Sequence, residues 1–323
     1  MAVHSTPILQ SSTITWATGS IPILPNFHYG PFGILDEYWR GATVSFSPSS
    51  LGYDGVSAWQ TFSFLNDLGP LYAVWWLESA RVGNRWSPAY FPTLFTFAGQ
   101  LLGIGSVGGI FYFLHHTFSP SPLTLHLTPQ KKRLTPHPNT ALLPLFLVLH
   151  TFEISAAYLS PSPQTRHYWT WAWQMTPLWI GVANVVVSRF IKVLPFKTAG
   201  LADPRLVLGT LGAVSAGVWL HTLLNSGVPF TTLFVPEMAA QEDFVAHMRR
   251  GLQFDQLCVF GASFVWLVYA FFDLWFAGLV VGMECLVMVA SLPVLVALLG
   301  PGAAFALAWY WRESKLQAKL AKE

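Results

Sequence analysis

Charged residues make up only 10% of this 323-residue chain, against roughly 25% in an average soluble domain. That shortage argues against a globule surrounded by water. Basic excess is missing too, with 17 Lys and Arg against 15 Asp and Glu, so no footprint for nucleic acid is present. The only two cysteines, Cys258 and Cys285, lie in apolar runs, which speaks against a disulfide framework or a cysteine zinc site and leaves core packing as their role. No H-E-x-x-H or comparable ligand set occurs, so neither a metal nor another cofactor is expected. A basic n-region followed by an apolar h-region, the mark of a signal peptide, is also absent.

What the chain does have is apolar length. Hydrophobic residues reach 53%, mean hydropathy is +0.47, and apolar runs of about 20 residues recur, which predicts an all-α polytopic transmembrane bundle of about seven helices. The runs cover residues 56–78, 90–116, 142–159, 167–188, 206–224, 254–276 and 286–311. Residues 1–56, broken by Pro22, Pro25 and Pro31, read as an extramembrane or interfacial lid, 57–311 as the bundle and 312–323 as a charged tail. The loop carrying Lys131-Lys132-Arg133 suits a solvated connector, and residues 226–252 an amphipathic surface segment. Small residues four apart, Gly99 with Gly103, Gly105 with Gly109, and Gly209 with Ala213 and Gly217, encode close helix packing. Basic residues divide evenly between the two sides, which leaves orientation open, as is oligomeric state.

A charge at a helix centre costs about 2.5–3.5 kcal/mol on insertion scales, so intramembrane acids are functional candidates. Asp67 and Glu78 are eleven residues apart in the first run, three turns plus about 20°, and face the same way about 16.5 Å apart. Arg81, three residues past Glu78, can pair with it and hold it ionised as an anchor. Asp67 has no local cation, so desolvation should keep it protonated, either as a proton donor or as a satisfied structural acid. His150 and Glu153 share a face at i and i+3, as a relay or as a mutual hydrogen bond. Asp255, Trp266, Tyr269 and Asp273 fall within about 40° of one stripe, which either lines a cavity or packs with its acids at interfacial water. Gln100 and Gln174 are further polar groups within apolar runs, and aromatic-rich walls come from 15 Trp, 25 Phe and 10 Tyr. Such walls together with one protonated carboxyl suit carbocation chemistry, because ring faces stabilise a cation by about 2 kcal/mol when desolvated and excluded water cannot quench it.

The runs Asn66-Asp67-Leu68-Gly69-Pro70 and Leu77-Glu78-Ser79-Ala80-Arg81-Val82-Gly83-Asn84, then Gln100, Trp173-Gln174-Met175-Thr176-Pro177, and Gly300-Pro301-Gly302 to Trp309-Tyr310-Trp311-Arg312-Glu313 resemble the membrane-integrated class II-type terpene cyclases of fungal meroterpenoid pathways. The resemblance is to the longer subgroup associated with ascofuranone- and macrophorin-type products. It implies a bundle in the endoplasmic reticulum that protonates the terminal alkene or epoxide of a prenylated small molecule and lets the tail cyclise, without metal. It also implies an acid in an early helix, Asp67 or Glu78, and one in a late helix, Asp255 or Asp273. On this reading Asp67 is the general acid, Arg81 and Asn84 organise the headgroup end with Glu78, Gln100 or Gln174 stabilises the carboxylate formed, and Trp173, Trp266 and Tyr269 guide the cation. A double-bond isomerase resembling sterol isomerases is the alternative enzyme. A transporter or receptor is the non-enzyme reading, although no inverted repeat or matched pair of broken helices supports it.

Overall fold

The computed structural model describes residues 8, 10–24, 33–121, 124, 128–135, 141–191 and 203–320. Pro25 and Pro31, named above as breaking the lead segment, lie outside them. The described chain is almost wholly helical, and its strands are one antiparallel hairpin, β1 (Thr13–Trp16) and β2 (Gly19–Pro22). The lead segment builds a small core of its own from Ile14, Ile21, Ile23, Val44 and Leu51, with helix α1 (Gly33–Ser45) lying beside it.

Helix α2 (Gly55–Ser79) forms the axis of the bundle. Asp54 caps it by accepting from the Ser57 N–H at 3.2 Å, and nearly every residue from Gln60 to Ser79 is buried. Pro70 removes the amide that would bond to the Asn66 carbonyl, and one residue earlier the Leu65 carbonyl accepts from His150 Nε2 at 3.0 Å. Around this axis pack α3 (Pro92–Leu102), α4 (Ile104–Phe118), α5 (Leu142–Leu159), α6 (Pro163–Gln174), α7 (Thr176–Ile191), α8 (Pro204–Asn225), α9 (Phe244–Phe276) and α10 (Gly282–Leu320).

Among the described residues, four helices are long and apolar enough to cross a bilayer: Leu142–Leu159, Pro204–Asn225, Phe244–Phe276 and Gly282–Ala318. Large apolar side chains stand exposed on their outer faces, Leu224, Val265, Val294 and Phe276 among them, as lipid contact requires and water would not favour. The chain is a membrane protein. Of the seven runs read from the sequence, the first is long enough to span but is shielded from lipid by its neighbours, so it carries polar residues and is not among the four. The second is split at Gly103, whose φ of +84° ends α3 and starts α4, and the fourth is split at Met175.

Further sequence readings are corrected by the packing. Of the residues read as a charged tail, 312–320 continue α10, which bends where Gly300 adopts φ +80°, and Arg312 and Glu313 are buried; 321–323 lie outside the described residues. The amphipathic segment resolves into a short helix, Phe230–Phe234, and the first turns of α9. Tight helix approach uses Gly105 and Gly108, where a Cβ would come within 2.9 Å of Asp255 and 2.8 Å of Val259, whereas Gly109, Gly209 and Gly217 face open space. His150 and Glu153 do not pair, because a π-helical turn, Leu147–Phe152, changes their register. Trp173 Nε1 donates to His150 Nδ1 at 3.4 Å, and Glu153 accepts from the Thr176 hydroxyl.

Candidate functional site

The residues singled out in the sequence separate into three places. The first is a cavity of about 550 Å³ enclosed by α1, α2, the α3–α4 break, the end of α6 and the start of α9. Its walls are mainly apolar, with Phe46, Phe64, Leu68, Tyr72, Ile104 and Trp173, and its polar points are Gln100, Gln174 and Asp255. This volume and polarity suit a small organic ligand held by few polar contacts. Tyr38 from α1 also lines it and donates to the Leu101 carbonyl, tying the lead segment to α3 across the cavity. Burial raises the Tyr38 phenol above its ordinary range, so the hydroxyl stays a donor.

Asp255 reaches this cavity because α4 begins at the Gly103 break. The Gly105 N–H, in the first turn of α4, donates to Asp255 Oδ1 at 3.1 Å, the ordinary service of an acid at a helix N-terminus. Oδ2 has no donor among the described residues. Trp173 is fixed by its bond to His150 and by an edge contact with Phe46 at 5.7 Å between ring centroids. Gln174 is 1% exposed, and its Oε1 and Nε2 are buried without a hydrogen-bond partner among the described residues.

The second place is a charge cluster at the far end of α2. Glu78 accepts from Arg81 Nε and Nη2 at 2.8 and 2.7 Å, Asn84 Nδ2 at 3.0 Å, Trp309 Nε1 at 2.8 Å and Arg312 Nη1 at 2.8 Å. Arg81 Nη2 also bridges to Glu313 at 2.6 Å, so two guanidinium groups stand against two carboxylates. His115 Nδ1 accepts from Trp266 Nε1 at 3.3 Å, and because an indole only donates, the proton of a neutral ring lies on Nε2, 3.4 Å from Glu78. A smaller polar cavity of about 230 Å³ opens here, lined by Glu78, Arg81, Asn84, Trp266, Asp273 and Arg312 among others. The α9 stripe thus serves two cavities, Asp255 in one and Trp266 with Asp273 in the other. Tyr269 does neither: it is half exposed and lies against His116 at 5.3 Å.

The third place is Asp67, fully buried where α2 crosses α8 and α10. Ser215 Oγ donates to its Oδ1 at 2.6 Å and the Gly302 N–H does so at 3.3 Å, while Oδ2 is without a partner among the described residues. Asp67 is not among the residues lining either cavity. At this crossing a Cβ on Gly302 would lie 2.6 Å from the Asp67 Cα, so backbone meets backbone. Gly302→Ala is therefore expected to destabilise the fold by about 1–3 kcal/mol through overpacking, read as a lowered midpoint of thermal aggregation in detergent. An unchanged midpoint would mean that the crossing gives way freely.

His115, Arg312 and Glu313 were missed by sequence reasoning as members of the Glu78 cluster. Arg312-Glu313 directly follows a long apolar run, a position that reads equally well as the interfacial end of a helix, and nothing local signals that the helix continues inward-facing. Ser215 has no sequence signal at all, since a single serine in an apolar helix reads as an ordinary small residue and it lies on the face opposite the Gly209, Ala213 and Gly217 stripe.

Comparison with known proteins follows this geometry. The chain is 31% identical to the FAD-dependent monooxygenase verC1 of Penicillium polonicum over 98% of its own length but 40% of that protein's. It is 27% identical to the FAD-dependent monooxygenase anuJ of Penicillium roqueforti over 89% of its length and 35% of that protein's. The terpene cyclase ascI of Acremonium egyptiacum is 24% identical over 72% of this chain and 65% of the relative. The chain thus spans well under half the length of the monooxygenases it matches. No solved structure matches it. Residues 25–316, which include both cavities and the Asp67 crossing, match the family described as the CtvD domain, and the chain belongs to that family.

Proposed function

We propose that this chain is a membrane-embedded terpene cyclase domain that binds a prenylated small molecule in the 550 Å³ cavity and starts cyclisation by protonation, with Asp255 as the acid. The observation that carries this reading is the placement of Asp255: it is the acid on the walls of an apolar, aromatic cavity large enough for a prenyl tail, and one of its oxygens has no partner among the described residues. Among the described residues no Lys or Arg lines that cavity, so none of them pairs with a carboxylate there, and the group works as the carboxylic acid. Its O–H bond breaks as a C–H bond forms at the terminal alkene, or an O–H bond at an epoxide oxygen. The next double bond of the tail then supplies the electron pair for the new C–C bond. The Gly105 N–H and the positive end of α4 stabilise the carboxylate left behind, and ring faces of Phe46, Tyr72 and Trp173 shield the cation. Loss of a proton from the last cation ends the sequence, so substrate and product are isomers. The Glu78 cluster is, on this reading, an anchor joining α2, α4 and α10, with its carboxylate already occupied.

The relatives named FAD-dependent raise the question of a flavin. Gly103-x-Gly105-x-x-Gly108 has the spacing of a dinucleotide-binding turn. Here it follows helix α3 and not a strand, and the Asp255 carboxylate sits 2.9 Å from where a Cβ on Gly103 or Gly105 would be. The carboxyl fills the space over the turn that a pyrophosphate would need, so these residues do not fit the group.

Membranes containing the chain, incubated with farnesylated phenols and with their terminal epoxides, are expected to yield cyclic isomers of unchanged mass, identified by NMR. An acyclic isomer with a shifted double bond would favour the isomerase reading instead, and unreacted substrate in both arms would overturn the proposal.

A further inference from the structure

We infer that the Glu78 end of the bundle docks on the negatively charged cytosolic leaflet of the membrane, and that the lead segment therefore stands on the opposite side. The surface that makes this contact is a basic rim with its own aromatic anchor. Nothing in it depends on the reaction in the cavity.

The fold gathers the rim by turning two apolar runs back on themselves. α3 and α4 form one hairpin: Phe95 meets Phe111 edge-on at 5.1 Å between ring centroids, and the turn between the helices is the Gly103 break. Ser119, just past α4, donates to Asn84 Oδ1, in the connector before α3, at 2.9 Å. The two connectors that flank the hairpin thus lie side by side. Alternate crossings would put them on opposite sides, so the even division of basic residues read from hydropathy does not hold. α10 doubles back in the same way about Gly300, since Lys315 Nζ meets Glu284 at 3.0 Å.

Arg85 sits in the connector between α2 and α3, and the Val82 N–H donates to the Arg133 carbonyl at 3.0 Å, which holds Lys131 and Arg133 at the same end. Arg205, at the start of α8, donates to the Tyr310 hydroxyl at 2.6 Å, next to the Trp309 that bonds to Glu78. Arg85, Lys131, Arg133 and Arg205 are exposed, and among the described residues no ion pair engages them. Trp86, Tyr90 and Phe91 follow Arg85 in its connector, exposed and with their rings in mutual contact, as suits side chains at headgroup depth.

The other end has no such rim. There the lead-segment core meets Phe244 at the start of α9, and the cations are engaged by the protein. Arg249 faces Asp54 at 3.6 Å, Arg250 Nε and Nη2 donate to the Glu237 and Met238 carbonyls at 2.7 and 3.0 Å, and Arg166 Nε donates to the Ser160 carbonyl. Arg40, on α1, is partly buried, while Glu242 and Asp243 are exposed acids. Lys and Arg set orientation by staying on the cytosolic side, and unpaired basic side chains at a headgroup surface are held by anionic lipid. Both effects select the Glu78 end.

The test uses the full chain in sealed microsomes, whose cytosolic face is outward, with Cys258→Ser removing the exposed native thiol. Single cysteines are then introduced at exposed positions, Lys131→Cys at one end and Glu242→Cys at the other. A membrane-impermeant maleimide should label Lys131→Cys in intact vesicles and Glu242→Cys only after detergent. Arg133→Cys and Ala240→Cys supply the answer should either variant fail to accumulate. Labelling of the Glu242 end in intact vesicles, or none of the Lys131 end, would overturn the orientation. The lipid contact is read in nanodiscs of phosphatidylcholine with and without phosphatidylserine, where phosphatidylserine should raise the midpoint of thermal aggregation. The combined variant Arg85→Gln, Lys131→Gln and Arg133→Gln should lose at least about half of that rise, and so should wild type in about 1 M salt, which screens surface charge. A rise that survives either change, or no rise in wild type, would overturn the contact with anionic headgroups.

Discussion

Asp255→Asn is expected to abolish cyclisation, with turnover at least ~100-fold below wild type, while the protein accumulates in membranes at its normal level. The reason for the intact fold is local. An asparagine Oδ1 still accepts from the Gly105 N–H, which in the wild type holds Asp255 at 3.1 Å, so the start of α4 stays capped. What is lost is the transferable proton. The counterpart is Asp67→Asn, which preserves the acceptor for Ser215 and Gly302 and, because Asp67 lies off the cavity wall, should keep most of the turnover. The reverse pattern, an inactive Asp67→Asn beside a working Asp255→Asn, would return the acid's role to α2 and withdraw it from α9. Substrate consumption measured alongside membrane abundance distinguishes the two outcomes.

Arg81→Ala is expected to deplete the protein from the membrane fraction. Arg81 bonds to Glu78 through Nε and Nη2 and to Glu313 through Nη2, and all three side chains are buried. Removing it leaves Glu78 with Arg312 and takes from Glu313 the guanidinium that faces it, and breaking a buried pair in this way costs about 3–5 kcal/mol. That is a large part of the 5–15 kcal/mol that holds a typical protein folded. Arg81→Lys keeps the charge but not the forked geometry that reaches both acids, and should give intermediate abundance. Combining Arg81→Ala with Glu313→Gln removes one acid with its cation and should recover part of the loss. Equal abundance of Arg81→Ala and wild type would show that the cluster tolerates an unpaired acid and is not the anchor of α2, α4 and α10.

Helical class, membrane residence and the identity of the polar candidates were legible in the sequence, each for a local reason. Apolar runs of spanning length have few soluble explanations. An Arg three residues after a Glu on a helix is within reach of it whatever the rest of the chain does, and the structure has that pair. The stripe of Asp255, Trp266 and Asp273 was also readable, because helical periodicity alone places those residues on one face.

Which acid meets which cavity was not readable, because that depends on where other helices stop. Asp67 looked the freest acid since no cation lies near it in sequence, but Ser215 and Gly302 arrive from helices 148 and 235 positions away to occupy its Oδ1, and it lines neither cavity. Asp255 looked like an interfacial residue at a helix start, yet the Gly103 break opens the cavity beside it, and α9 begins earlier, at Phe244. Hydropathy is silent at α2 for the complementary reason: a helix wrapped by others is buried in protein, so its composition no longer reports on lipid. Sequence by itself determined the kind of structure and the inventory of chemical groups, through periodicity and nearest neighbours. Tertiary structure alone decided which of those groups are bonded by partners far along the chain and which, like Asp255, are left on the wall of a cavity.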